Sequence, residues 1–85
     1  MGKKVLIPFE LGSTLYDISE VLYNQGESDI LELDASEFSA RVVDNNLLFS
    51  VEGRDFLDSD FGKYIFSSRE KALKELERRG IVYNG

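Results

Sequence analysis

The chain contains no cysteine, no histidine and no tryptophan, and its 85 residues include a single proline. Without cysteine, disulfides cannot stabilise the fold and thiolates cannot hold a metal ion. Without histidine, the chain lacks the side chain that most often acts as a general base, a proton shuttle or a transition-metal ligand. These absences argue against hydrolytic and metal-dependent chemistry.

Long hydrophobic runs are also absent. Nowhere do about eighteen apolar residues follow one another, so the sequence predicts no membrane-spanning helix. The first stretch, MGKKVLIPF, has only three apolar residues before Pro8, too few for the core of a signal peptide. We expect a cytoplasmic protein of one domain, residues 1–85, with a flexible N-terminus at residues 1–4. We expect residues 5–9 to form an edge strand or an extended lead-in, because Pro8 has no backbone N–H to donate to a neighbouring strand.

Acidic side chains outnumber basic ones, which gives a formal net charge of −6 at pH 7. Residues 5–62 contain thirteen acidic and two basic residues, whereas residues 63–85 contain three acidic and six basic ones. Such an acidic body repels the phosphates of nucleic acids and attracts a basic protein surface, including the groove of a nucleic-acid-binding protein. The same charge also keeps a small protein soluble, and both interpretations stay open at this point.

The first half of the chain is ambiguous in one place. In residues 11–23, Leu15, Ile18 and Leu22 recur at helical spacing, whereas residues 14–18 alternate after a glycine, as in a strand. The strand is slightly favoured. The polar stretch NQGESD that follows predicts a loop.

A β-hairpin is predicted between about residues 29 and 52. Apolar residues largely alternate with polar ones over residues 30–43, with a change of phase, and hence a bulge, at Ala35-Ser36. Asn45-Asn46 suits a two-residue type I′ turn because asparagine tolerates positive φ. Gly53 is expected to end the second arm.

A C-terminal helix is predicted over residues 67–79. Ser67 and Glu70 match the capping box, in which each side chain bonds a backbone N–H of the first turn. Gly80 is suited to the left-handed conformation that ends many helices. The apolar stripe of this helix consists of Ala72, Leu73 and Leu76.

The tripeptide at residues 60–62 matches the DFG motif with which protein kinases hold magnesium. No other kinase motif is present, and the chain is far too short for a kinase fold. A local explanation suffices: Gly62 permits a turn that a side chain would block, and Phe61 and Phe66 anchor it in the core. We interpret the segment as a structural corner formed by Phe61, Gly62, Phe66, Ser67 and Glu70.

Three aspartates lie close together at positions 55, 58 and 60, as acidic residues do in a calcium-binding loop. If Asp55 takes the first position, Leu57 takes the third; if Asp58 is first, Gly62 takes the fifth. Neither register supplies the required ligands, so the sequence predicts no metal site and no cofactor. Without histidine or a glycine-rich phosphate loop, it also predicts no catalytic residue.

Two segments resemble small uncharacterised proteins of Firmicutes and their prophages. The segment from residue 60 is similar to their motif dFGKtVFlTreEAekAL, and residues 11–18 are similar to a first strand GDtVYdI. The matching positions of the first motif are Asp60-Phe61-Gly62-Lys63, Ile65-Phe66, Arg69-Glu70, Ala72 and Leu73. Ser67-Ser68 departs from the usual Leu-Thr. The resemblance implies an SH3-like β-barrel with one C-terminal helix, a strand at residues 14–18 and a phage or mobile-element origin; it carries no catalytic residue.

We therefore predict an α+β fold: a small SH3-like antiparallel β-barrel or bent sheet with one C-terminal helix. The expected core consists of Leu15, Ile18, Leu31, Leu33, Phe38, Val42, Leu48, Phe61, Phe66, Leu73 and Leu76.

The leading functional prediction is a non-enzymatic module that binds another protein, basic or nucleic-acid-binding, rather than nucleic acid or a membrane. The alternative is an acidic DNA mimic that inhibits a nucleic-acid-binding defence enzyme, and a small hydrolytic enzyme ranks last. On one strand face Glu32 and Asp34 would lie about 7 Å apart, a spacing similar to that of successive phosphates. The residues expected to bind the partner are Glu27, Asp29, Glu32, Asp34, Glu37, Tyr23 and Tyr83.

Overall fold

Six short strands and two α-helices occur in residues 9–83, the part of the chain that the computed structural model describes. In chain order the elements are β1 (Thr14–Asp17), α1 (Ser19–Tyr23), β2 (Leu31–Asp34), β3 (Ser39–Val43), β4 (Asn46–Val51), β5 (Arg54–Leu57), a 3-10 turn (Asp58–Asp60), β6 (Ile65–Phe66) and α2 (Arg69–Arg78). The α+β class and the C-terminal helix are confirmed. The flexible stretch expected at residues 1–4, and all but Phe9 of the strand expected at 5–9, lie outside the described residues.

The strands form two three-stranded antiparallel sheets. Sheet 1 has the order β2-β1-β6 and sheet 2 has the order β3-β4-β5. Strand pairing within residues 9–83 does not close the two sheets into one barrel. The hairpin predicted over residues 29–52 is confirmed in its shorter form, β3–β4. Its first arm does not continue back into β2, because β2 belongs to the other sheet. The change of phase at Ala35-Ser36 marks the break between β2 and β3, where the backbone N–H of Ser36 bonds the Asp34 carboxylate at 2.9 Å.

Sheet 1 has a hydrophobic core on each face because successive side chains of a strand point in opposite directions. Leu15 and Ile65 face sheet 2, whereas Tyr16 and Phe66 pack on the side of the helices. The first core consists of Phe9, Leu15, Leu33, Ala35, Phe49, Val51, Phe56 and Ile65. The second core consists of Ile18, Val21, Ile30, Phe66, Ala72 and Leu76.

Most of the predicted core is buried or half-buried, but two of its residues are exposed. Val42 is 71% exposed and Leu73 is 37% exposed. Val42 pairs with Leu47 near the end of the β3–β4 hairpin, which extends beyond the first core. On α2 only one row of side chains is buried, and Leu73 lies beside that row. The alternation of a strand and the stripe of a helix show which face turns inward, but not how far the core extends.

Sheet 2 is a meander with a two-residue turn at each end of β4. Asp44 and Asn45 have φ of 50° and 67°, and Glu52 and Gly53 have φ of 49° and 79°. Two successive positive φ angles are typical of the type I′ turn, whose twist matches that of the strands. The turn predicted at Asn45-Asn46 therefore lies one residue earlier, and Gly53 leads into a further strand that the sequence analysis missed.

The ambiguous segment 11–23 contains both structures in succession, β1 and then α1. The Asp17 carboxylate accepts a hydrogen bond at 2.8 Å from the backbone N–H of Ser19, the first residue of α1. This bond satisfies one free donor of the first helical turn and starts the helix directly after the strand. The favoured strand is confirmed, and the short helix is an addition.

Helix α2 begins two residues later than predicted. Ser68, rather than Ser67, is the N-cap, and its hydroxyl accepts a hydrogen bond from the N–H of Lys71 at 3.2 Å. Glu70 instead pairs with Lys74 on the surface at 3.3 Å. The predicted Ser67–Glu70 capping box is therefore wrong, because β6 keeps the chain extended up to the N-cap.

The C-terminal segment crosses the loop that follows α1. A Cβ atom at Gly26 would lie 2.0 Å from the carbonyl oxygen of Val82, and Gly26 has a φ of 93°. The hydroxyl of Tyr83 accepts a hydrogen bond from the N–H of Ile30 at 3.3 Å. Both contacts attach the end of the described chain to the rim of the second core.

The last turn of α2 is fixed by Arg79. Its guanidinium donates to the carbonyl oxygen of Lys63 at 2.8 Å and lies 5.2 Å from the ring centroid of Tyr64. Hydrogen bonds from Arg78 and then from Arg79 lower the pKa of Glu75 to about 2. The contacts of Arg79 with Glu75, Lys63 and Tyr64 connect the end of α2 to the segment that precedes β6.

We expect Gly26→Ala to lower the free energy of unfolding by about 3 kcal/mol, because it adds a clash with backbone to the strain of positive φ. Gly53→Ala is the matched control, since Gly53 has similar φ and open space around it, and its expected loss is about 1 kcal/mol. Urea unfolding of the two variants measures the difference. Equal losses would contradict the close approach of Val82 to Gly26.

The ion pairs of Glu75 with Arg78 and Arg79 make the free energy of unfolding depend on pH. Folding lowers the pKa of Glu75 from 4.5 to about 2, so its stabilising contribution is complete above pH 4.5 and is lost as the pH falls toward 2. We expect the stability difference between the native chain and Glu75→Gln to shrink over this range in urea unfolding. Glu77→Gln serves as the control, because the ion pairs formed within residues 9–83 do not include Glu77. A difference for Glu75→Gln that does not change with pH would contradict the pairing.

Candidate protein-binding surfaces

The acidic residues predicted to bind a partner lie along one edge of sheet 1. Glu32 and Asp34 are exposed and share a face of β2, which is an edge strand. Glu27 and Asp29 are exposed in the loop that precedes β2. The structure therefore places these four carboxylates on one loop and the strand that follows it.

Two of the predicted acidic residues, Asp34 and Glu37, converge with Glu52 at a groove between the two sheets. Asp34, Ser36, Glu37 and Glu52 line this groove, which has a volume of about 380 Å³. The backbone N–H of Asp34 donates to the Glu52 carboxylate at 3.0 Å, which joins the end of β2 to the turn after β4. We call this surface the acidic groove. The sequence does not indicate that Glu52 lies here, because its contact with Asp34 spans eighteen residues of the chain.

Asp34 holds its negative charge in the acidic groove through hydrogen bonds. Hydrogen bonds from the side chain and then the backbone of Ser36 lower the pKa of Asp34. The ion pairs formed within residues 9–83 do not include Asp34, Glu37 or Glu52. Within the same residues, no group of three or more acidic side chains is arranged to hold a metal ion. The groove thus presents charge that a basic group of a partner could approach.

The two tyrosines predicted as anchors differ in their surroundings. Tyr23, at the end of α1, is 87% exposed. Tyr83 is half-buried, and its hydroxyl contacts Ile30, Asp29 and Arg69. The hydrogen bonds of Tyr83 to the loop and to α2 give it a structural role. Most of the Tyr23 side chain is exposed to solvent.

The DFG segment forms a hydrogen-bonded corner. The Asp60 carboxylate accepts from the N–H of Leu57 at 2.9 Å, and the carbonyl of Asp60 accepts from Lys63 and Tyr64. Gly62 has a φ of 83°, and its N–H donates to the carbonyl of Ile65 at 2.9 Å. Asp60 therefore closes the 3-10 turn, and Gly62 supplies the left-handed residue that the corner needs.

Aromatic rings hold this corner against the first core. The ring of Phe61 stacks on Phe9 with centroids 5.6 Å apart and meets Phe56 edge-on at 5.4 Å. Phe66 is buried on the other face of sheet 1, in the second core. The two phenylalanines of the predicted corner thus anchor it to both cores, whereas exposed Ser67 and Glu70 lie outside them.

A surface that the sequence analysis missed is the outer edge of sheet 2. All five residues of β3 are exposed, including the apolar Ala40 and Val42. β3 is an edge strand, paired with β4 on one side only among the strands of residues 9–83. The signal in the sequence was the pair of short turns around β4, which define a meander with an exposed outer strand.

No helix within residues 9–83 is long and apolar enough to cross a membrane. Comparisons of the chain with models of protein families, with curated proteins and with solved structures gave no match.

We expect Asp60→Ala to lower the free energy of unfolding by about 1 kcal/mol, because the N–H of Leu57 loses its acceptor. Asp58→Ala is the control: Asp58 is exposed, and the side-chain hydrogen bonds found within residues 9–83 do not include it. Thermal unfolding with and without millimolar magnesium measures both effects. Stabilisation of the native chain, but not of Asp60→Ala, by magnesium would contradict the structural role.

Proposed function

We propose that this protein is a non-enzymatic interaction module that binds another protein through β3. The observation that carries the proposal is that all five residues of β3, at the edge of sheet 2, are exposed. An edge strand offers a row of unpaired backbone donors and acceptors, and such edges are used to bind extended segments of other proteins.

The charge of the surrounding surface supports a basic partner. Residues 37–60, which contain the whole of sheet 2, carry six acidic and two basic side chains. One of the two basic residues, Arg54, is already paired with Glu20 at 2.9 Å. Electrostatic attraction between this surface and a basic partner speeds their encounter.

A second candidate is the DNA mimic, and the acidic groove is the observation that favours it. Asp34, Glu37 and Glu52 line the groove, and Glu32 lies next along the exposed face of β2. Spaced carboxylates of this kind could occupy a site that otherwise binds phosphates.

We also propose an SH3-like relation, a phage or mobile-element origin and a cytoplasmic location. An SH3-like relation is supported by two small antiparallel sheets that share the first core. A phage or mobile-element origin and a cytoplasmic location are supported by the resemblance and by the composition of the chain.

Affinity capture from a nuclease-treated lysate of the producing cell tests the proposal. We expect one enriched protein that is lost with Val42→Lys, because a lysine on an edge strand opposes pairing and repels a basic partner. Val82→Lys is the matched control, since Val82 is 73% exposed and Val42 is 71% exposed. Glu32→Lys/Asp34→Lys tests the groove in parallel.

The outcomes separate the two candidates. Loss with Val42→Lys alone supports the interaction module at β3. Loss of a nucleic-acid-binding enzyme with Glu32→Lys/Asp34→Lys alone supports the mimic. Equal capture by all variants, or no enriched protein, contradicts both candidates.

A further inference from the structure

We propose that β3 binds a basic, extended segment of its partner as an additional antiparallel strand of sheet 2. This inference rests on the proposed function and specifies how the partner is recognised. The resulting sheet would have four strands, with the backbone of β3 bonded on both sides.

The register of sheet 2 shows which backbone groups of β3 are open. In an antiparallel ladder, bonded and non-bonded pairs alternate, and a two-residue turn is closed by a bonded pair. Val43 faces Asn46 across such a turn, so Ser39, Arg41 and Val43 bond to β4. Ala40 and Val42 therefore direct their N–H and C=O groups to the open edge.

The same rule applied to the other turn supports this assignment. Val51 faces Arg54 across the turn between β4 and β5, so Val51 and Phe49 bond toward β5, and Leu47 points the same way beyond the end of that pairing. The remaining residues of β4 then bond toward β3, as the first turn requires. The two turns thus give one consistent pattern across three strands.

The side chains that accompany the open groups are small and apolar. Ala40 and Val42 lie on the same face of sheet 2 as Phe49, which is fully buried. A partner residue directly opposite Ala40 would contact this face near the first core, and one opposite Val42 would cover an exposed apolar side chain. Apolar side chains at alternate positions of the partner strand fit these positions.

Charges at both ends of β3 favour a basic segment. Glu37, which lines the acidic groove, precedes the strand, and Asp44 follows it in the turn. Lysine or arginine on either side of a five-residue pairing segment would lie beside these carboxylates.

A second copy of this chain fits the edge poorly. Each copy has a net charge of −6, so two copies repel each other. In the register that pairs Ala40 with Val42 of the second copy, the two Arg41 side chains would lie directly opposite each other, and like charges in that position are destabilising. The charge therefore points to a basic partner instead.

Amide hydrogen exchange measured by NMR tests the inference with a defined probe. The probe is a peptide of alternating threonine and valine, flanked by two lysines at each end, and its counterpart has glutamate in place of every lysine. In the free protein we expect fast exchange at Ala40 and Val42 and slower exchange at Arg41 and Val43. Millimolar basic peptide should slow the exchange of Ala40 and Val42 by about fivefold or more, and the acidic peptide should not.

Two variants separate backbone pairing from side-chain contact. Val42→Pro removes only an N–H that points to the open edge, so it should abolish the protection by the basic peptide. Val42→Thr keeps that N–H and should retain the protection. Continued slow exchange at Arg41 in Val42→Pro verifies that the ladder to β4 is intact.

Other outcomes overturn the inference. Protection by neither peptide excludes strand addition, and equal protection by both excludes a preference for basic segments. Protection of Ala40 and Val42 without peptide, increasing with protein concentration, assigns the edge to a second copy.

Affinity capture with Val42→Pro distinguishes a failure of strand addition from a failure of the proposed function. A protein captured equally by the native chain and by Val42→Pro would leave the interaction module standing and overturn strand addition. Protection by the basic peptide together with an unproductive capture would overturn the proposed module, although β3 would still be able to pair with a basic strand.

Discussion

The structure depends on β1, a strand of four residues that is packed on both faces. Leu15 belongs to the core shared with sheet 2, and Tyr16 packs on the core under the helices. Asp17 caps the start of α1 and pairs with Leu31 on one side and Ile65 on the other. Because both cores and both neighbouring strands meet at these residues, the position of β1 fixes the rest of the fold. Within residues 9–83, β6 also reaches both cores, through Ile65 and Phe66, but β1 is the central strand of sheet 1.

The surfaces available to a partner follow from how far the cores extend. The rings of Phe9, Phe49, Phe56 and Phe61 fill the space where sheet 2 approaches sheet 1. Beyond these rings, the part of the chain that the structure describes places no apolar layer against the β3–β4 hairpin, and Val42 is 71% exposed. The acidic groove lies at the other end of β3, where the turn after β4 meets the end of β2. The apolar side chains of the β3 edge and the negative charges of the acidic groove therefore lie near each other on the surface.

Local features of the fold could be predicted from the sequence, and relations between distant segments could not. The loop around Gly26, the corner at Gly62 and helix α2 depend on neighbours in the chain, and all three are present. The alternation over residues 30–43 showed which side chains turn inward, but it does not specify the partner strand. It therefore merged β2 with β3. The contact of Asp34 with Glu52, on which the acidic groove depends, joins two sheets and has no local signal.

The two turns around β4 restrict how the hairpin can change in length. Each turn is closed by a hydrogen-bonded pair and requires two left-handed residues. One extra residue in each arm would put a non-bonded pair at the turn, and one extra residue in a single arm would reverse the faces of the strand. Insertions that keep the two-residue turn between β3 and β4 are therefore compatible with the fold as two residues in each arm. The length of the open edge of β3 would therefore change in discrete steps of about 7 Å.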